Sequence, residues 1–253
     1  MSLVCPNLVF PKIVREGLEH FCNQIKEALG EHLVSIILYG GLAKGEYSPI
    51  SSNVNVMVVT KEISIELLDR VAPAVQQGVL DFRLAVMVLS EDDLHRSTDV
   101  FPTKFLDMKQ YHQVLWGKEV LSELTISNEH LRLRCEQEIK NLLLRLRQFY
   151  LHRLHRTELI ESTLTSAIST FLSNLGILLI LKTGQSPGGK GAIAEAAAYE
   201  LGINNNPLQS ILEIKYGTYK PDKEELKNLY NAFMITVQQA ADIVDRIPEK
   251  ADL

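Results

Sequence analysis

The sequence predicts an α+β protein in two domains, a mixed β-sheet domain over residues 1–124 and an all-α helical bundle over residues 125–253. Three observations carry this expectation. Short β-branched apolar runs of strand length occur only in the first half of the chain. Beyond about residue 125, apolar residues recur every three or four positions, the period of a helix face. A length of 253 residues also exceeds what one ordinary domain needs.

Taken in order, residues 13–30 set Ile13, Leu18, Phe21, Ile25 and Leu29 at helical spacing, with Gly30 as the stop. Leu33–Tyr39 (LVSIILY) reads as a buried strand that runs into Gly40-Gly41 and a short helical stretch, LAKGE. After the turn-rich YSPISS, Val54–Thr60 (VNVMVVT) is a second strand. Residues 64–77 return to helical spacing, and residues 80–89 (LDFRLAVMVL) give a third strand ahead of the acidic helix start EDDL. The first half therefore reads α-β-β-α-β, with residues 101–119 as a link. The bundle helices fall at residues 127–157, 158–183, 190–202, 206–217 and 222–247, divided by GQSPGGKG and GINNNP. Ser127 followed by Glu129, and Pro221-Asp222, supply helix starts.

Composition narrows the function classes. Hydrophobic residues make up 46% and charged residues 23%, a balance that excludes a disordered chain. With 26 Lys and Arg against 31 Asp and Glu, the formal charge of −5 argues against a nucleic-acid partner. Cys5, Cys22 and Cys135 are scattered, which fits neither a disulfide scaffold nor a zinc site and suits a reducing compartment. The early proline breaks any signal-peptide core, and the longest apolar run, residues 175–181, is far short of the roughly 18 residues that span a bilayer. A cytoplasmic protein without membrane contact is expected.

The informative segment is residues 38–58, LYGGLAKGEYSPISSNVNVMV. Glycines at a strand end let backbone amides approach a phosphate with no Cβ in the way. Gly40 and Gly41 are thus candidate nucleotide-binding residues, with the Lys44 charge at the same corner. Two glycines alone would read as an ordinary strand-to-helix junction. The added feature is that Asn53 and Asn55, at alternate positions, share one face of the next strand.

This layout resembles the nucleotidyltransferase superfamily that includes DNA polymerase beta, kanamycin nucleotidyltransferase and the minimal nucleotidyltransferases. In that superfamily a Gly-Gly or Gly-Ser turn is followed, after a short spacer, by an acidic-apolar-acidic triplet. Further on, FPTKFLDMKQYHQVLWGKE at 101–119 and LRLRCEQEIKNLLLRLRQFY at 131–150 look like the linker and first bundle helix of predicted bacterial nucleotidyltransferases. The resemblance implies a sheet domain that holds two magnesium ions on carboxylates and a nucleotide on the glycine turn.

The departure is chemical. The metal-binding acids are replaced by Asn53 and Asn55, whose amides carry no charge, while magnesium prefers anionic oxygen. The third carboxylate of the superfamily lies on the following strand, where only Asp81 stands near the entry. Glu46 and Asp107 are acids in neighbouring segments that could substitute. No catalytic residue and no metal ligand is therefore assigned.

The expected function is a pseudoenzyme: a non-catalytic nucleotide-binding or regulatory module for ATP or GTP, with a protein partner or a homodimer to regulate. The first alternative is an active, magnesium-dependent transferase moving a nucleotide from ATP to a small-molecule or protein hydroxyl. The second is a toxin-antitoxin component acting on RNA, for which Arg147 and His152 have an Arg-x4-His spacing. On one continuous helix Arg145, His152 and Arg156 would share a cationic face, a phosphate or partner surface. Gly184 to Gly191 matches Gly-x4-Gly-Lys but lacks the following Ser or Thr and a preceding strand, so it reads as an interhelical loop.

Overall fold

The computed structural model describes residues 11–45, 47–48, 52–153 and 156–247. Cys5 and Glu46, named above, lie outside the described residues. The chain divides into two compact units, one ending at Ile126 and the other beginning at Ser127.

In the first unit, α1 (Lys12–Leu29) buries one stripe, Val14, Leu18, Phe21, Cys22, Ile25 and Leu29. It leads into β1 (Leu33–Tyr39), the single-turn α2 (Gly41–Lys44) and β2 (Val54–Thr60). The chain continues through α3 (Ile65–Phe82), β3 (Leu84–Ser90), α4 (Glu91–Arg96), α5 (Pro102–Gln110) and β4 (His112–Gly117). Ser64 caps α3, and Ser90 with Asp93 forms a reciprocal capping box on α4, which satisfies backbone N–H groups at both starts.

The four strands order as β3-β2-β1-β4. β2 and β3 run parallel, so their connection must cross over, and α3 is that crossover. β1 pairs antiparallel with β2 and with β4. Ile36, Leu38, Val54, Val56 and Val58 face a core shared with α1 and α3. The alternate residues Ile37, Met57 and Val59 are also fully buried, so the middle of the sheet is covered on both faces. Access to the sheet is left at the strand ends.

Three expectations are corrected here. The third strand begins at Leu84, because α3 runs on to Phe82 and ends where Arg83 takes a left-handed conformation with φ 57°. Asp81 therefore lies on α3, exposed and bonded to Gln77, and does not enter the strand. A fourth strand, β4, stands inside the segment read as a link. Its six residues mix polar and bulky side chains and give little alternation, and only pairing with β1 fixes them.

Among the described residues of the second unit every regular element is a helix: α6 (Asn128–Arg153), α7 (Thr157–Thr183), α8 (Lys190–Leu201), α9 (Asn206–Tyr216) and α10 (Lys223–Val244). Asp222 and Glu225 close a capping box on α10. The helix expected to continue to residue 157 is described as far as Arg153, and Arg156 stands at the N-cap position of α7, so Arg145 and His152 are on one helix and Arg156 at the start of the next.

By length and composition α7 could cross a membrane, although its longest unbroken apolar run is short. In the fold, 61% of its most apolar window is buried in the bundle. Phe171 of α7 meets Phe233 of α10 edge to face, with ring centroids 5.4 Å apart. Fully buried Tyr230 donates its hydroxyl to the Leu146 carbonyl at 2.7 Å, tying α10 to α6. Tyr230→Phe removes this tie while the Leu146 carbonyl keeps its place in the α6 ladder, so a loss of about 1 kcal/mol in chemical denaturation is expected. An unchanged midpoint would mean that the bond contributes nothing net.

Candidate functional site

The register of the sheet builds the site. Ala85 on β3 pairs with Asn55 on β2, Asn55 with Tyr39 on β1, and Tyr39 with His112 on β4. Paired residues on neighbouring strands share a face, so these four form one row across the sheet, roughly 14 Å from end to end. Asn53 lies one residue before β2 and is exposed; Asn55 is half-buried. The pair brackets the strand entry, although only Asn55 is within the ladder.

Gly40 sits at the end of β1 with φ 77° and ψ −152°, a conformation open almost only to glycine. A Cβ built there would come 2.7 Å from the Asn55 side-chain nitrogen. The amide of Asn55 thus packs onto the bare face of Gly40, which gives this glycine a structural duty beyond any ligand. Gly41 opens α2, and the Lys44 N–H donates to the Gly40 carbonyl at 3.0 Å. With one turn only, α2 has little dipole to offer an anion.

Lys44 is not an idle charge. Its ammonium donates to Oδ1 of Asp107 on α5 at 2.5 Å and lies 5.2 Å from the centre of the Tyr111 ring. The Lys44 side chain keeps 27% exposure, so the pair is only partly shielded from solvent. Asp107, a candidate to replace a lost metal ligand, is committed to this lysine.

At the other end of the row, His112 Nε2 is 2.7 Å from Glu119 Oε2. Glu119 Oε1 accepts from the backbone N–H groups of Leu121 and Ser122 at 2.9 and 3.2 Å. Burial alone raises the Glu119 carboxyl, and the hydrogen bonds from His112 and from the backbone outweigh it, leaving its pKa below the ordinary value. Burial pushes the Tyr39 phenol between these groups upward. Among the described residues, no three His, Cys, Asp or Glu side chains cluster as metal ligands would.

Sequence reasoning missed Ala85 beside Asn55, His112 at the far end of the row, and Glu119 bonded to His112. Recognising β4 and the true start of β3 would have found them, since pairing register does the rest.

The second surface is less assembled. Arg145 and His152 are exposed on α6, while Arg156 belongs to the start of α7. Arg147 donates to Gln238 of α10 at 2.9 Å, and Lys140 binds both Glu136 and Asp245. The basic stretch is thus partly absorbed in pairs within the bundle. In GQSPGGKG, Gly184 ends α7 and Gly189 precedes α8, so the segment is an interhelical loop with no strand before it.

No protein-family description and no curated protein matches the sequence. Among solved structures, the chain is similar to a spectinomycin adenyltransferase from Enterococcus faecialis, solved with ATP and spectinomycin. The TM-score is 0.52 at 12% identity, over 91% of this chain and 99% of that one. At so low an identity the likeness establishes the fold and leaves the chemistry to the residues themselves: this protein has the nucleotidyltransferase fold.

Proposed function

We propose that this protein is a nucleotidyltransferase-fold module that has lost its metal site and binds a nucleotide without transferring it. One observation carries the reading. The row that should bear metal-binding acids presents Ala85, Asn55 and Tyr39, with Asn53 just outside it, and contains no carboxylate. Gly40 and Gly41 remain at the strand end, with Lys44 beside them, as the groups that would meet a phosphate. Their backbone amides do not depend on the missing acids. The solved neighbour, crystallised with ATP, makes ATP a reasonable first ligand, with GTP as the second. Reduced, buried Cys22 and Cys135 are compatible with a cytoplasmic setting.

Calorimetry tests the reading. Weak heat of binding is expected with ATP or GTP, unchanged by chelator because no metal bridges the phosphates. Gly41→Val should weaken it by crowding the turn. Lys44→Glu should weaken it too, by placing two carboxylates at one corner. If wild-type protein gives no heat with either nucleotide at millimolar concentration, the glycine turn is scaffold alone.

A further inference from the structure

Charge pairing at the site bears on which nucleotide it prefers. Lys44, beside the glycine turn, is held by Asp107, and His112, at the end of the row, by Glu119. Arg83, at the entry of β3, has a contact of its own. Resting on the nucleotide-binding reading, we infer that Asp107 is a specificity-determining residue: by occupying Lys44 it makes the site indifferent to phosphates beyond the first, so that a nucleoside monophosphate binds as well as a triphosphate.

The chemistry is that of an occupied partner. In a site that favours triphosphates, each added phosphate meets a metal or a cation, and affinity climbs along the series. Here the row supplies no metal-binding acid, and the lysine nearest Gly40 and Gly41 already lies on a carboxylate. The β- and γ-phosphates of ATP would have to displace Asp107 and then sit beside it as a like charge. What the row does offer is neutral hydrogen bonding, from the Asn55 amide and the Tyr39 phenol. Groups of that kind read hydroxyl and amide edges, as on a ribose or a base, more than charge.

The test is calorimetry with adenosine, AMP, ADP and ATP in EDTA, on wild type, Asp107→Asn, Lys44→Met and the double variant. In wild type the AMP and ATP dissociation constants should agree within about threefold, and Lys44→Met, which leaves Asp107 unneutralised, should show no preference for ATP over AMP. In Asp107→Asn, which frees the lysine, ATP should bind about tenfold tighter than AMP, and the added Lys44→Met should abolish that gain. Wild-type affinity that rises tenfold from AMP to ATP overturns the inference, as does an AMP-to-ATP ratio unchanged by Asp107→Asn. Either result leaves nucleotide binding standing. If none of the four ligands binds wild type or Asp107→Asn, the nucleotide reading itself falls, and this inference with it.

Discussion

Manganese is expected not to bind the wild-type protein at micromolar concentration, whereas the triple variant Asn53→Asp, Asn55→Asp, Ala85→Asp is expected to bind it. The argument is electrostatic. A carboxylate about 4 Å from a divalent ion gains roughly 8 kcal/mol gross at an effective dielectric of about 20, with a smaller net value after desolvation. An amide oxygen offers only a dipole. Ala85 completes the set because it pairs with Asn55 in the parallel register, so aspartates at both positions would stand side by side on one face about 4.8 Å apart. The double variant without Ala85→Asp should bind metal more weakly than the triple.

The same reasoning predicts no transfer of AMP from labelled ATP by the wild-type protein above background, with magnesium or manganese, since a two-metal displacement needs both ions held. Spin-resonance titration of manganese and a label-transfer assay read the two outcomes. Tight metal binding or robust labelling by wild type would refute the reading of a lost metal site and favour an active transferase.

Gly40→Ala should destabilise the first unit by about 2–4 kcal/mol, by two separable routes. The backbone conformation costs about 1–3 kcal/mol for any residue with a Cβ. The Cβ also lands 2.7 Å from the Asn55 side-chain nitrogen, so Asn55 must move or the turn must open. These routes can be told apart by a double-mutant cycle. In an Asn55→Ala background the collision disappears and only the backbone cost remains, so Gly40→Ala should be milder there by about 1 kcal/mol. Chemical denaturation of the four proteins measures the coupling. Additive effects would show that the glycine and the asparagine are not in contact, and would remove the structural duty assigned to Gly40.

Elements with strong local signals were legible in the sequence. β1 and β2 are β-branched runs closed by glycine or turn residues, and α1 and α10 carry clear apolar stripes with good stops and starts. β4 was not, because His112 to Gly117 gains its strand identity from β1 and not from its own composition. The boundary of α3 and β3 was misplaced because LDF continues an apolar pattern that either element could use. The left-handed turn that separates them falls on an arginine, which gives no glycine as a marker. In the site, Gly40, Gly41, Asn53 and Asn55 were visible as a local motif. Their companions Ala85 and His112 were not, since they arrive by register from distant parts of the chain, and Asp107 was named as a neighbouring acid without its pairing to Lys44. The expectation that Arg145, His152 and Arg156 lie on one continuous helix was wrong because no glycine or proline near Arg156 signals that a new helix starts there.

The burial of α7 also sets a timetable for synthesis. Its last residue, Thr183, leaves the ribosome well before α10, which supplies Tyr230 and Phe233 to the same core. At about 5–20 residues per second the interval lasts several seconds. Throughout it, a helix long and apolar enough to pass for a membrane span has α6, and then α8 and α9 as they emerge, but not α10, for cover. The nascent chain is then expected to engage any factor that scans emerging polypeptides for apolar helices. A stall or nonsense codon ahead of residue 223 would leave the side of that helix that meets α10 uncovered for good. Shortened chains of this protein should thus be cleared by quality control instead of persisting as a folded sheet domain with a loose tail.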